Sequence, residues 1–447
     1  MARLAHRLLG LIAAAAALAL ATWAVSQNPA LPAHPSDAVT PTSFLTQTIP
    51  NTAPNAAQLQ HGQALVIAGD CLSCHIRDGG QPFAGGLGLN TPFGVIYSAN
   101  ITSDSRTGIG DWTGDQFYRA MHEGVGAQGE NLYPAFPYPW FSKVSRADDD
   151  AILAYLKSTP AVSYRPPANR LPFPLNIRFL MKGWNLLFFR PHDFAADPAQ
   201  SADWNRGAYL VTGLGHCGGC HSPMNFFGAA SVDRALYGGA INNWTPPDLT
   251  GNPRTGLGLW SLGDITEYLQ TGRNARAGAG EDMGEVVSYS TSLMNDADRR
   301  AIAAYLKGLG PSPDASVQAP DPGAMQRGAA IYSDACASCH LENGVGQPRL
   351  FPPLGHNAGL QQANPTGLAH LILAGGRVGP TGMRPSPLAM PSFAWKLTDA
   401  EIADVSTYIR NSWGNQAAPV SAGKVHDLRR RLGLQTIHYT DNSGDHG

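Results

Sequence analysis

Cys71-Leu-Ser-Cys74-His75 recurs as Cys217-Gly-Gly-Cys220-His221 and as Cys336-Ala-Ser-Cys339-His340, and these three copies use all six cysteines of the 447-residue chain. C-x-x-C-H is the attachment pattern of covalent haem. Two thiols one helical turn apart reach the two vinyl groups of a porphyrin, and the adjacent imidazole falls beneath the iron as its proximal ligand. A zinc ribbon needs two cysteine pairs close together to complete four ligands, whereas consecutive pairs here lie more than a hundred residues apart. Redox dithiols need no His after each pair. The cofactor expected is therefore three covalent haem c groups, each holding one iron.

Composition agrees with a core built partly from cofactor. Charged residues are 14% of the chain, against 50 Gly and 35 Pro, which would leave a side-chain core thin unless a large apolar group filled it. With 31 basic and 33 acidic residues the charge is balanced, so nucleic acid is not an expected partner. The N-terminus reads as an export segment: Arg3 and Arg7, an uncharged run from Leu8 to Val25, and small residues Ala24 and Ser26 before Gln27. Residues 1–26 are expected to be a signal peptide, or an N-terminal anchor if retained, because the run is just long enough to span a bilayer. Haem attachment to C-x-x-C-H takes place outside the cytoplasmic membrane, so the expected location is the periplasm, at the face of the inner membrane.

The motifs sit inside a longer repeat. Gly62, Gly207 and Gly328 each stand in an apolar stretch just upstream of a cysteine pair, where a missing side chain suits close helix contact. Each repeat ends alike, in stretches 148–157, 296–307 and 398–410 that carry Tyr155, Tyr305 and Tyr408. Acidic residues at their start and Lys or Arg at their end complement a helix dipole. An N-terminal helix crossing a C-terminal helix is the layout of small mono-haem cytochromes c. The fold class expected is all-α, as three tandem class I cytochrome c-like domains at 56–165, 201–312 and 313–420, each around one covalent haem. Residues 27–55, rich in Pro, Thr, Ala and Asn, read as a linker. Residues 166–200 form an apolar, aromatic connector interrupted by Arg178 and Lys182, suited to packing as a bridge or to docking on a partner or membrane surface. The tail 421–447, with Arg429, Arg430 and Arg431, reads as a solvated or contact segment without chemistry.

Position selects the sixth iron ligands. Met390 lies 18 residues before Tyr408, and Met283 lies 22 before Tyr305, both in the loop entering the last helix of their repeat. Met294 competes with Met283 but falls at the start of that helix. In the first repeat the equivalent slot is Phe136, which cannot ligate iron. Aligning Gly124 with Gly272 and Gly375 sets Met121 opposite Leu269 and Ile372, and His122 opposite Gln270 and Leu373. Met121 is either core or distal ligand, His122 is the alternative ligand, and an open iron is the third possibility.

On these residues the chain resembles the tri-haem cytochrome c subunits of membrane-bound periplasmic dehydrogenases, of the alcohol, gluconate, sorbitol and aldehyde types. The stretches that carry the resemblance are 132–138, 204–211, 213–221, 244–250 and 412–415, and it spans roughly 58–420. The family commonly has Met where Phe136 stands. The resemblance implies an electron-transfer subunit without substrate chemistry of its own. Its partner would be a dehydrogenase catalytic subunit of molybdenum, flavin or quinoprotein type, and its acceptor ubiquinone or an oxidase, with peripheral membrane association. The alternative class is a haem enzyme of peroxidase or reductase kind using an open first haem.

Overall fold

The computed structural model describes residues 42–435 except 315, so the export segment lies outside the described residues. The chain is helix-rich, as expected of an all-α fold, with two short antiparallel ladders added. The described residues divide into two compact units: one built from 42–63, 71–142 and 146–192, the other from 64–70, 143–145 and 193–435. The first contains one C-x-x-C-H motif and the second contains two.

The first unit holds α1 (Ala56–Ala68), α2 (Cys71–Cys74), the hairpin β1 (Gly88–Thr91) and β2 (Gly94–Tyr97), α3 (Gly114–Glu123), α4 (Arg146–Ser158) and α5 (Leu180–Phe188). Its key crossing is glycine-made: a Cβ on Gly62 would lie 2.0 Å from the Ala151 carbonyl oxygen and 2.9 Å from the Tyr155 Cβ. Any larger residue would push the helices apart. Beside the glycine, His61 pairs with Asp148 at 2.7 Å. α3 starts at a capping box, Thr113 with Gln116, and stops at Gly124 in the left-handed region at φ 66°, where glycine meets no steric penalty. Part of the stretch read as a linker belongs to this unit's core. Leu45 is buried, Phe44 meets Phe83 edge-on at 5.8 Å, and the Gln63 amide donates to the Leu45 and Gln47 carbonyls.

The second unit repeats that crossing twice. It contains α6 (Ala202–Tyr209), α7 (Gly218–His221), α8 (Leu262–Thr271), α9 (Glu281–Val286) and α10 (Asp296–Gly308). Next come α11 (Pro322–Ala335), α12 (Ala337–His340), α13 (Thr366–Ala374), the ladder β3 (Gly376–Arg377) with β4 (Ala389–Met390), α14 (Asp399–Ile409) and α15 (Ala422–Arg431). Gly207 sits on Ala301 and Tyr305 where α6 crosses α10, with its virtual Cβ 1.9 Å from the Ala301 oxygen. Gly328 sits on Asp404 and Tyr408 where α11 crosses α14, at 2.3 Å from the Asp404 oxygen. Arg206 pairs with Asp298 and Arg327 with Asp404, the counterparts of His61 with Asp148. The last two crossings are joined: Trp244 stacks on His370 at 4.0 Å, Glu267 takes both Arg349 and Arg384, and Gly280 bridges Val378.

Of the two readings of the tail, its helix α15 follows the contact segment and not the solvated one. Val425 and Leu428 on α15 are buried in the core that Leu368, Ile372 and Ile402 share. Arg429 is buried too, donating to Asp399 and to the Ala394 and Leu397 carbonyls. Three adjacent arginines hide an i, i+3 apolar pair just upstream, so the charge pattern masked the helix's inner face.

Candidate functional site: three Cys-Cys-His sites

Each cysteine pair lies on or against a single helical turn, α2, α7 or α12, so its thiols are held about one turn apart. No disulfide joins any of the six. Burial pushes the thiols of Cys217 and Cys336 up to about 11 and that of Cys220 up to about 12, which keeps them protonated near neutrality.

The following imidazoles are oriented the same way at all three sites. Nδ1 of His75 lies 2.7 Å from the Ala99 carbonyl oxygen. Nδ1 of His221 lies 2.7 Å from that of Pro247, and Nδ1 of His340 lies 3.1 Å from that of Pro352. A carbonyl can only accept, so Nδ1 carries the proton and donates, and Nε2 is left with its lone pair. Burial lowers the pKa of all three, against the opposing pull of the carbonyl, which favours the neutral ring that a metal needs. Such a bond behind the ring is what fixes a metal-binding His in one tautomer and one rotation.

The accepting carbonyls are themselves fixed. Ala99 precedes Asn100, which is buried, accepts from the Thr102 amide and hydroxyl, and donates to the Val162 and Tyr164 carbonyls. Pro247 precedes Asp248, also buried, which accepts from the Thr250 amide and from the hydroxyls of Thr255 and Ser312. The sequence signal for these positioning residues is an Asn/Asp-x-Thr followed by Arg-Thr-Gly, present at 100–108 and at 248–256. Sequence reasoning passed over it, because nothing in the pattern says which carbonyl faces which ring.

The distal candidates differ from site to site. Met283 is half-buried on α9, whose first turn starts at Gly280. Met390 is half-buried in β4, opposite Gly376, and packs on the third crossing's core. Met294, the competitor to Met283, is buried, and its carbonyl accepts from the Arg299 guanidinium at the start of α10. In the first unit Met121 is buried on α3, like its counterparts Leu269 and Ile372. His122 is buried too, but its ring stacks on Tyr118 at 3.8 Å and its Nε2 lies 3.0 Å from Asp149. Burial pushes the Asp149 carboxyl up to about 6, against the pull of His122. Phe136 packs edge-on against Phe141 at 5.5 Å.

A family model for cytochrome c matches residues 325–413. A gluconate 2-dehydrogenase cytochrome c subunit of Pantoea cypripedii is 41% identical over 400 residues, covering 84% of this chain and 90% of its own length. The cytochrome c subunit of a quinone alcohol dehydrogenase of Gluconacetobacter polyoxogenes is 39% identical, covering 84% and 85%. A fructose dehydrogenase cytochrome subunit of Gluconobacter japonicus is 36% identical, covering 83% and 82%. The chain belongs to the dehydrogenase cytochrome c subunits. It is an electron-transfer subunit of that family, and cytochromes c bind haem covalently. The residues fit the group: paired thiols on one turn outside any disulfide, and beside each pair an imidazole with Nδ1 engaged. Among the described residues no three His, Cys, Asp or Glu side chains converge on a metal position.

Proposed function

We propose that this cytochrome c subunit holds three haems and relays electrons from a periplasmic dehydrogenase catalytic subunit, of molybdenum, flavin or quinoprotein type, to ubiquinone or a terminal oxidase. The observation that carries this reading is the threefold repetition of one proximal arrangement, thiol pair, imidazole and carbonyl, on three glycine crossings of the same kind. Covalent haem supplies a one-electron couple that no side chain here offers. Cys71 with Cys74, Cys217 with Cys220, and Cys336 with Cys339 would form the thioethers, and His75, His221 and His340 would bind iron through Nε2. Met283 and Met390 are the proposed distal ligands of the second and third sites. At the first, Met121 is favoured over His122, whose ring is already held between Tyr118 and Asp149.

Peripheral attachment to the inner membrane would use the connector. Among the described residues no helix is long and apolar enough to span a bilayer, but α5 and its approach expose Phe173, Phe179, Leu186 and Leu187, the last two 72% and 71% exposed. Arg178 and Lys182 flank them, a pattern suited to lying in a headgroup layer. The deciding measurement is haem content per chain, with rapid reduction by a co-purified dehydrogenase and reoxidation by a ubiquinone analogue. Three haems reduced by the partner support the relay, and two or fewer would sink it.

A further inference from the structure

The described residues include several arginines buried to nine-tenths or more, and all but one are met by protein acceptors. Arg410 donates to the Ala418, Leu360 and Gln362 carbonyls. Arg429 has Asp399 and two carbonyls. Arg299 has Asp296 and the carbonyls of Thr291, Ser292 and Met294. Arg273 is the exception. It is 9% exposed, and its Nε and Nη1 find no acceptor.

The surroundings make matters worse. The carboxylates of α8, the helix that leads into Arg273, are already taken: Glu267 by Arg349 and Arg384, Asp264 by Arg276. Arg384 faces Arg273 as a like charge, and together with burial it lowers the Arg273 pKa. A buried, permanently charged guanidinium without a counter-ion costs several kcal/mol, so an anion belongs there, and a carboxylate is the shape that matches the guanidinium fork.

Location points to the anion. Arg273 follows Gly272, the left-handed residue that ends α8, and its backbone is pinned by a bridge to Gly278 and by the Thr271 hydroxyl donating to its carbonyl at 2.6 Å. It therefore stands four residues beyond Leu269 and ten before Met283, between the two stretches assigned to the distal side of the second site. We infer that Arg273 is the anchor for a propionate carboxylate of the second haem. This rests on the relay reading, because it requires a haem at Cys217, Cys220 and His221.

The test is an EPR-monitored redox titration of the haem-loaded chain. The second haem's signal is identified as the one that turns high-spin in Met283→Ala. In Arg273→Gln the propionate loses its counter-charge, which favours ferric iron. That signal should titrate with a roughly tenfold smaller reduction constant, about 59 mV lower for a one-electron couple, and gain a pH dependence between about pH 5 and about pH 8 as the carboxylate takes up a proton. Arg273→Lys keeps the charge and should shift it less. An unshifted second-haem potential in an Arg273→Gln chain with three haems overturns the inference, as does a shift confined to the third haem. So does an unshifted potential accompanied by a phosphate-dependent melting point, which would assign the guanidinium to a solution anion. If neither variant matures, the wild type decides: a second-haem potential that already falls with pH across that window shows an unanchored propionate. Fewer than three haems in the wild type would instead count against the relay reading.

Discussion

The first Cys-Cys-His site and the other two share one arrangement of thiols and imidazole and part company at the position of the proposed distal ligand. In all three, a glycine crossing places a thiol pair and an imidazole whose Nδ1 is tied to a carbonyl. The second and third have a methionine in the segment before the last helix of the repeat, Met283 on α9 and Met390 in β4. The first has Phe136 there, and behind α3 it buries a His122–Asp149 pair that has no counterpart at the other sites. The proximal side is constrained by covalent chemistry and tolerates little variation. The distal side needs one donor atom at the right height, and different loops can supply it, so it is where repeats diverge.

The sharpest way to break the likeness is to remove one site at a time. Replacing both cysteines of any pair by Ala is expected to cost one haem equivalent in the pyridine haemochrome assay and leave the other two. A chain that loses no haem from one such pair would remove that site from the set. Next in size is the distal side. Met390→Ala and Met283→Ala should each convert one haem to high spin and lower its potential on the order of 0.1 V, within the ~0.8 V range that axial ligation spans. Met121→Ala should do the same at the first haem. If its spectrum stays low-spin while His122→Ala turns high-spin, the ligand is His122, and a first haem already high-spin in the wild type would mean an open iron.

Packing gives smaller, parallel effects. Gly62→Ala, Gly207→Ala and Gly328→Ala each drive a methyl into a carbonyl across the crossing, so each should destabilise its repeat by about 3 kcal/mol, read as lowered thermal midpoints. Equal losses would sharpen the likeness among the three, and a neutral Gly328→Ala would separate the third, whose virtual Cβ has the longest contact. The smallest effect belongs to the first unit alone. The Asp149 carboxyl is raised to about 6 from its ordinary 3.8, so the folded state prefers it protonated. Its stabilising preference is fully present below about pH 4 and is lost as pH rises through about 6. Asp149→Asn should therefore flatten the fall in thermal midpoint across that window with unchanged haem spectra. A variant as pH-sensitive as the wild type would show that the charge is not buried at neutral pH.

Much of this was legible beforehand. The glycines Gly62, Gly207 and Gly328 were readable as contact points because each recurs eight to ten residues before a cysteine pair, and the closing glycines of α3, α8 and α13 recur in each repeat too. The carbonyls of Ala99, Pro247 and Pro352 were not readable, since they lie 24, 26 and 12 residues from their His partners and a backbone atom leaves no residue type to recognise. Arg429 and Arg273 were invisible for another reason: an arginine's letter does not say whether its charge meets water, a carboxylate or nothing.

The sequence by itself pointed to covalent haem and to the three Cys-Cys-His sites that would hold it, because covalent attachment demands specific atoms at a spacing that one helical turn enforces. Tertiary structure decided which carbonyl orients each imidazole, that His122 is held by Asp149 and Tyr118, that α15 belongs to the core, and that Arg273 lacks an acceptor. Those outcomes depend on which distant segments meet and on what burial removes from water, and neither is a property of any local stretch of chain.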